Sequence, residues 1–123
     1  MPIKYSTEQL ARLDDFRWDE RLAVFGSLRP GASNAHKLEH LRGLWFTGTV
    51  AGVLEVRGWG AGQGYPGIRL TSGSTVDVYL LCSHDLPAYW DELDAFEGAE
   101  YRRVSTIVMM GDRGVCAQIY ELA

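Results

Sequence analysis

Apolar residues along this chain come in short runs and stripes, and their spacing predicts the elements in turn. Leu10, Leu13 and Phe16 recur at helical intervals behind Ser6 and Gln9, a pair spaced as a capping box, so a short N-terminal helix is expected. Residues 21–25 (RLAVF) form an apolar run of strand length, ended by Gly26 and the Arg29-Pro30-Gly31 turn signal. Between residues 34 and 44, Leu38, Leu41 and Leu44 lie on one helical stripe that Ser33 or Asn34 could cap, which predicts a second helix. Residues 47–70 hold two strand-like pieces, TVAGVLEV and YPGIRL, flanking GWGAGQG; so many glycines oppose regular structure, and the segment reads as a mobile loop beside a site. Residues 74–82 (STVDVYLLC) read as a further strand. Asp85 then offers an N-cap to a helix whose Leu86, Tyr89, Trp90, Leu93 and Phe96 share one face and which Gly98 ends. Residues 101–110 and 115–122 read as strands joined by Gly111-Asp112-Arg113-Gly114, a hairpin turn. The sum is about five or six strands with three helices, mostly antiparallel, which is the α+β class.

Length and composition narrow the picture. A chain of 123 residues suffices for one core and not for two, and no repeat or composition shift divides it. Residues 1–123 therefore read as a single domain, with residues 1–20 as a helical extension at its N-terminus. The net charge of -4 gives no electrostatic ground for a nucleic-acid or anionic-membrane partner, so a small molecule is the expected one. No apolar run approaches the ~20 residues of a membrane helix. Cys82 and Cys116 each sit in an apolar stretch, and the first residues carry neither a signal-peptide core nor a basic transit bias. A soluble, cytoplasmic protein with reduced and buried thiols is expected.

The most informative position for chemistry is Glu97. It follows Leu93 by four residues and Leu86 by eleven, so it continues the stripe that faces the core. A carboxylate there is partly desolvated, and it stands at a helix C-terminus where the macrodipole disfavours negative charge. Both effects raise its pKa toward the range useful to a general base. Asp91, Glu92 and Asp94 point elsewhere and read as the solvated face. An ion pair of Glu97 with Arg102 or Arg103 is the competing reading, and spacing alone does not separate the two.

Phe25, Gly26, Ser27 and Leu28 form the second feature: a strand ends in a glycine, Gly26, that lets the chain turn and expose successive backbone N–H groups, a nest for a carboxylate or oxyanion. Ser27 is a weak candidate nucleophile, because the Gly-x-Ser-x-Gly elbow is absent and no histidine stands in an evident triad role. Three other patterns carry less. His36 and His40 have a zinc-compatible spacing but no supporting motif or paired cysteines, the glycines of residues 58–67 lack the Lys-Ser/Thr of a phosphate loop, and Cys82 beside His84 continues an apolar strand. Exposed histidines, no nucleotide site and a core cysteine are the readings taken.

The order of VFGSLRPG, a Tyr-Pro-Gly after a glycine-rich loop, VDVYLL and LDAFEGAEYRR resembles the γ-glutamylcyclotransferase-like family, which includes γ-glutamylamine cyclotransferases. The family's Tyr-Gly-Ser/Thr-Leu loop looks like Phe25-Gly26-Ser27-Leu28. Its Leu-Asp-x-Phe/Tyr-Glu followed by Tyr-x-Arg looks like residues 93–97 with Tyr101 and Arg103. Phe25 departs from the usual tyrosine and Val76 from a frequent glycine, and residues 1–20 have no counterpart. The resemblance implies a small antiparallel β-barrel flanked by helices; the extension, outside the resemblance, is expected to cover the barrel or meet a second subunit. It also implies an enzyme of the acyltransferase or lyase kind, needing no metal or cofactor. Such an enzyme releases 5-oxoproline and a free amine from a γ-glutamyl amide by attack of the α-amine. Glu97 would be the acid-base group, Phe25, Gly26, Ser27 and Leu28 would bind the glutamyl end, and Tyr120 would lie near the pocket. A metabolite-binding module without turnover, and an enzyme removing a γ-glutamyl protecting group in one pathway, are the alternatives.

Overall fold

Strand β5 (Thr75–Cys82) carries the alternation that builds the barrel, with Val76, Val78 and Leu80 buried while Thr75, Asp77 and Tyr79 face out. The computed structural model describes residues 4–59, 62 and 65–123. On one side β5 pairs antiparallel with β1 (Arg21–Val24), Arg21 opposite Cys82. On the other it pairs antiparallel with β2 (Leu44–Ala51) along that strand's whole length. Strand β2 meets β6 (Tyr101–Met110) at Thr49 and Met109, β6 forms a long hairpin with β7 (Arg113–Leu122), and β7 returns parallel to β1 at Leu22 and Gln118. The order β1-β5-β2-β6-β7 closes a five-stranded barrel, and β3 (Val53–Glu55) with β4 (Gly67–Arg69) makes a small separate antiparallel pair.

Two apolar clusters follow from this closure. Inside the barrel lie Phe46, Val50, Val78, Leu80, Val108, Ala117 and Ile119. Outside it, helix α2 (Leu86–Glu97) lays Leu86, Trp90 and Leu93 over Leu22, Val24, Leu81 and Tyr120. The short strand β1 and the last part of β7 are thus buried on both faces, and burial on both sides is why their sequences read as apolar runs rather than as alternation.

The N-terminal extension packs onto the barrel. Helix α1 (Thr7–Ala11) begins with the expected capping box, Gln9 N donating to Ser6 Oγ at 3.1 Å and Ser6 N to Gln9 Oε1 at 2.8 Å. Leu13 and Phe16 join the interior cluster. The buried Arg21 guanidinium ties the extension down by donating to the carbonyls of Leu13, Phe16 and Cys116.

The helix expected over residues 34–44 does not form. Among the described residues that stretch holds one 3-10 turn, Ala35–Lys37, and Leu44 already belongs to β2. The reason is tertiary: at Gly43 an added Cβ would stand 2.1 Å from the Cys82 carbonyl oxygen, so the two backbones run too close for a helical side chain and the residues after it are taken by ladder pairing with β5. Asp85 occupies the N-cap of α2 but does not cap it. Its carboxylate accepts from Arg42 N at 3.0 Å and anchors that same loop instead. The described residues contain seven strands and two α-helices, with the hairpin turn shortened because β7 begins at Arg113. Cys82 is fully buried, and burial pushes its thiol up to about 12, whereas Cys116 is only partly buried, against expectation. No helix of the described residues is long and apolar enough to cross a membrane.

Candidate active site

The cavity of interest opens where β1 ends. After Val24 the chain leaves the barrel through Phe25 and turns, Arg29 N donating to Gly26 O at 3.2 Å and Asn34 N to Ser27 O at 2.8 Å. No loop or turn hydrogen bond of the described residues uses the N–H groups of Gly26, Ser27 or Leu28 as donors. Ser27 is buried and its hydroxyl accepts from Asn34 Nδ2 at 3.0 Å, a bond that holds the turn; among the described residues no base hydrogen-bonds to this oxygen. The expectation that Gly26 is needed for the turn itself is corrected here. Its φ is not positive; the left-handed residue of this loop is Gly31, at φ 82°. A Cβ on Gly26 would meet only Tyr65 Cβ, at 3.8 Å, so what its bareness provides is room in the cavity.

Opposite this loop stands the C-terminal turn of α2. Glu97 continues the apolar stripe and lines the same cavity as Phe25, Gly26, Ser27, Leu28 and Tyr120, so the structure brings all six sequence-predicted residues together. Ala23 and Val24 at the end of β1, with Trp59, Tyr65, Pro66 and Tyr101, complete the wall. Burial pushes the Glu97 carboxyl up to about 7. Among the described residues no cation pairs with it, because Arg102 is paired to Glu121 and Arg103 to Asp94. The competing ion-pair reading therefore has no support in the geometry. Trp59 locks the helix end from outside, its Nε1 donating to the Glu97 carbonyl at 2.8 Å and its ring meeting Phe96 and Tyr101 edge to face.

Asp94 lies on the solvated face, as helical spacing predicts, with its side chain 42% exposed, but spacing does not show its partners. It accepts from Tyr120 Oη at 2.7 Å and from Arg103 Nε at 2.9 Å. Burial on its own would raise its pKa, but the hydrogen bonds from Arg103 and Tyr120 outweigh burial and hold the carboxyl below its ordinary value. Two carboxyls one turn apart are thereby driven in opposite directions, the arrangement that separates an acid-base group from a fixed anion. The mobile-loop reading covers residues 58–64: of these Gly58 and Trp59 are placed against Tyr101 and Phe96, and Gly60, Ala61, Gln63 and Gly64 lie outside the described residues. His36 and His40 are exposed, and no group of three metal-ligating side chains occurs among the described residues.

A family model described as gamma-glutamyl cyclotransferase, AIG2-like, matches residues 22–123. The chain belongs to this family. The cyclotransferase family match covers the barrel, the loop after β1, α2 and the hairpin, and leaves out only the extension. Among solved structures, the fold is similar to that of an AIG2-like protein from Mus musculus (19% identity, 85% of this chain and 77% of that one, TM-score 0.58). It is also similar to YkqA from Bacillus subtilis (20% identity, 84% of this chain, TM-score 0.66), of whose length the match takes up 35%. A third likeness, to an allophanate hydrolase from Kluyveromyces lactis, has 15% identity and covers 84% of this chain but 17% of that one, with TM-score 0.59. At these identities the structural likenesses speak for the fold alone. No curated protein sequence matches the chain. Family membership supports an enzyme of the cyclotransferase type.

Proposed function

We propose that the protein releases 5-oxoproline and a free amine from a γ-glutamyl amide, with Glu97 as the group that moves protons. The observation that carries this reading is a half-buried carboxyl with a pKa near 7, free of cationic partners among the described residues, lining one cavity with Gly26, Ser27 and Leu28, whose N–H groups enter no loop or turn hydrogen bond among the described residues. A pocket that only bound an anion would have no use for such a group, since a desolvated negative charge opposes the ligand.

In this reading the amides of Gly26, Ser27 and Leu28 hold the substrate's α-carboxylate. Held so, the α-amine lies over its own γ-carbonyl carbon. Glu97 takes a proton from the α-ammonium, the freed amine nitrogen bonds to that carbon, and the bond to the leaving nitrogen breaks as Glu97 returns the proton to it. The second proton of the ring nitrogen follows by the same carboxylate, so that the amine leaves as an ammonium ion. The ring closes within one molecule, so positioning supplies much of the acceleration and no cofactor enters the balance. The leaving amine extends toward Trp59 and Tyr65, whose rings suit an apolar group. The reaction takes place in a reducing cytoplasm, in keeping with two free thiols.

The test is to offer γ-glutamyl amides of several amines beside their N-acetyl counterparts and follow 5-oxoproline by chromatography. Release from the free amines alone is expected. Free glutamate as product, or turnover of the N-acetyl compounds, would show that water attacks and that the protein is an amidase.

A further inference from the structure

Tyr120 stands on the wall of β7 that faces α2, opposite Arg103 across the hairpin ladder and 4% exposed. Its hydroxyl donates to Asp94 Oδ1 at 2.7 Å. Asp94 is held in turn by Arg103, whose Nε reaches Oδ1 at 2.9 Å and whose Nη2 reaches Oδ2 at 3.3 Å. Arg103 is itself fixed: Nη1 donates to Gln118 Oε1 at 3.0 Å, and the guanidinium carbon lies 4.4 Å from the centroid of the Trp90 ring. Gln118, buried, passes Nε2 to Ser105 Oγ at 2.9 Å. Every member of this chain of contacts has its direction set by the next.

A phenol has one proton and can accept through its lone pairs. An ionised Asp94 has nothing to donate, so the proton between the two oxygens belongs to Tyr120 and points away from the cavity that Tyr120 lines. Burial, with the Asp94 bond next, drives the phenol's pKa up, so it stays neutral at working pH. Tyr120 lines the cavity, and with its proton committed to Asp94 its hydroxyl has only lone pairs to offer there. It can receive an N–H there; it cannot donate to an oxyanion or protonate a leaving group.

We infer that Tyr120 receives an N–H of the substrate's α-amine, and that Asp94 and Arg103 are positioning residues that fix the direction of its hydroxyl. This rests on the reading of the cavity as a site for a free γ-glutamyl α-amine. The amine is then held between an acceptor, Tyr120, and a proton carrier, Glu97, both lining one cavity. Neither residue is interchangeable with the other: one never changes protonation and the other must.

The test compares γ-glutamyl-n-butylamide, as substrate, with glutaryl-n-butylamide, an inhibitor that lacks the α-amine. Tyr120→Phe keeps the ring and removes the acceptor. It is expected to raise KM for the substrate about tenfold or more, the scale of a hydrogen bond to a charged group, while leaving the inhibitor's Ki unchanged. Asp94→Asn, which lets the hydroxyl turn, is expected to raise KM in the wild-type background and to add nothing to Tyr120→Phe, again without moving Ki. Should Tyr120→Phe not fold, judged by circular dichroism, the Asp94→Asn split of KM from Ki decides alone. A parallel change in KM and Ki, or no change in either, would overturn the inference and leave the cyclotransferase reading standing. If the wild-type protein turns over no γ-glutamyl amide and binds the two compounds equally, the reading beneath it fails as well.

Discussion

The last turns of α2 present two faces, and the carboxyls on them behave in opposite ways. Toward β6 and β7, the exposed Asp94 accepts from Arg103 and the Tyr120 hydroxyl, and its pKa falls. Toward the β1 loop and Trp59, Glu97 has no such donors among the described residues and its pKa rises to about 7. Both belong to the same helix and stand one turn apart, so helix position does not make the difference. Asp94 is met by donors that outweigh its desolvation, whereas Glu97 is desolvated by rings and bare backbone. A carboxyl's pKa rises toward the range an acid-base group needs where the fold buries it and withholds partners.

Removing the titrating group should give the largest effect. Glu97→Gln keeps the size of the side chain and abolishes proton transfer, so the rate of 5-oxoproline release should fall roughly 10²-fold or more. The fold, followed by circular dichroism, should be unchanged. Near-wild-type activity in this variant would remove Glu97 from the mechanism.

A milder change would bring Glu97 closer to Asp94 in behaviour. Trp59→Leu deletes the bond to the Glu97 carbonyl and uncovers the turn that Phe96 and Tyr101 help to shield. Water then reaches the carboxyl, and the acid limb of the kcat/KM profile should move below its wild-type position. If the limb stays put, the aromatic cover is not what raises the pKa.

The smallest effects should come from the loop side chains. Ser27→Ala loses one hydrogen bond, from Asn34, costing about 0.5–1.5 kcal/mol of stability in denaturant unfolding. Activity should change by a few-fold at most, because the backbone amides remain. A folded but inactive Ser27→Ala protein would restore the serine as a nucleophile.

How far the site was legible follows from where each signal lives. Glu97 was readable because its partner is its own helix: the stripe from Leu86 to Leu93 places it. The loop from Phe25 to Leu28 was readable in the same local way, as a strand that stops at a glycine, and the motif order added the family. The exposure of Asp94 was readable in the same way but its partners were not, because spacing along α2 says nothing about Arg103 and Tyr120, which arrive from two other strands. Nor was the absence of a helix over residues 34–44. Leu38, Leu41 and Leu44 do keep helical intervals, but Leu38 is buried under α2 from a turn and Leu44 is claimed by pairing with Cys82. Local periodicity competes poorly with a ladder that closes a barrel. In Gly26 the sequence carried a true signal with the wrong cause, since the residue is bare for the cavity's sake and not for the backbone's.

The contrast between the two carboxyls also has a thermodynamic form. Glu97 has a folded pKa of about 7 against an ordinary 4.5, so it favours the fold fully below the lower value. That contribution is lost as pH rises through the higher one. The direct measurement is a carbon NMR titration of the side-chain carboxyls, with Glu97 assigned by the Glu97→Gln variant and Asp94 as internal comparison. The account predicts a Glu97 midpoint near 7, coinciding with the acid limb of kcat/KM, and an Asp94 midpoint below the ordinary carboxylate value. Two carboxyls titrating together in the ordinary range, with an activity limb that matches neither, would contradict it.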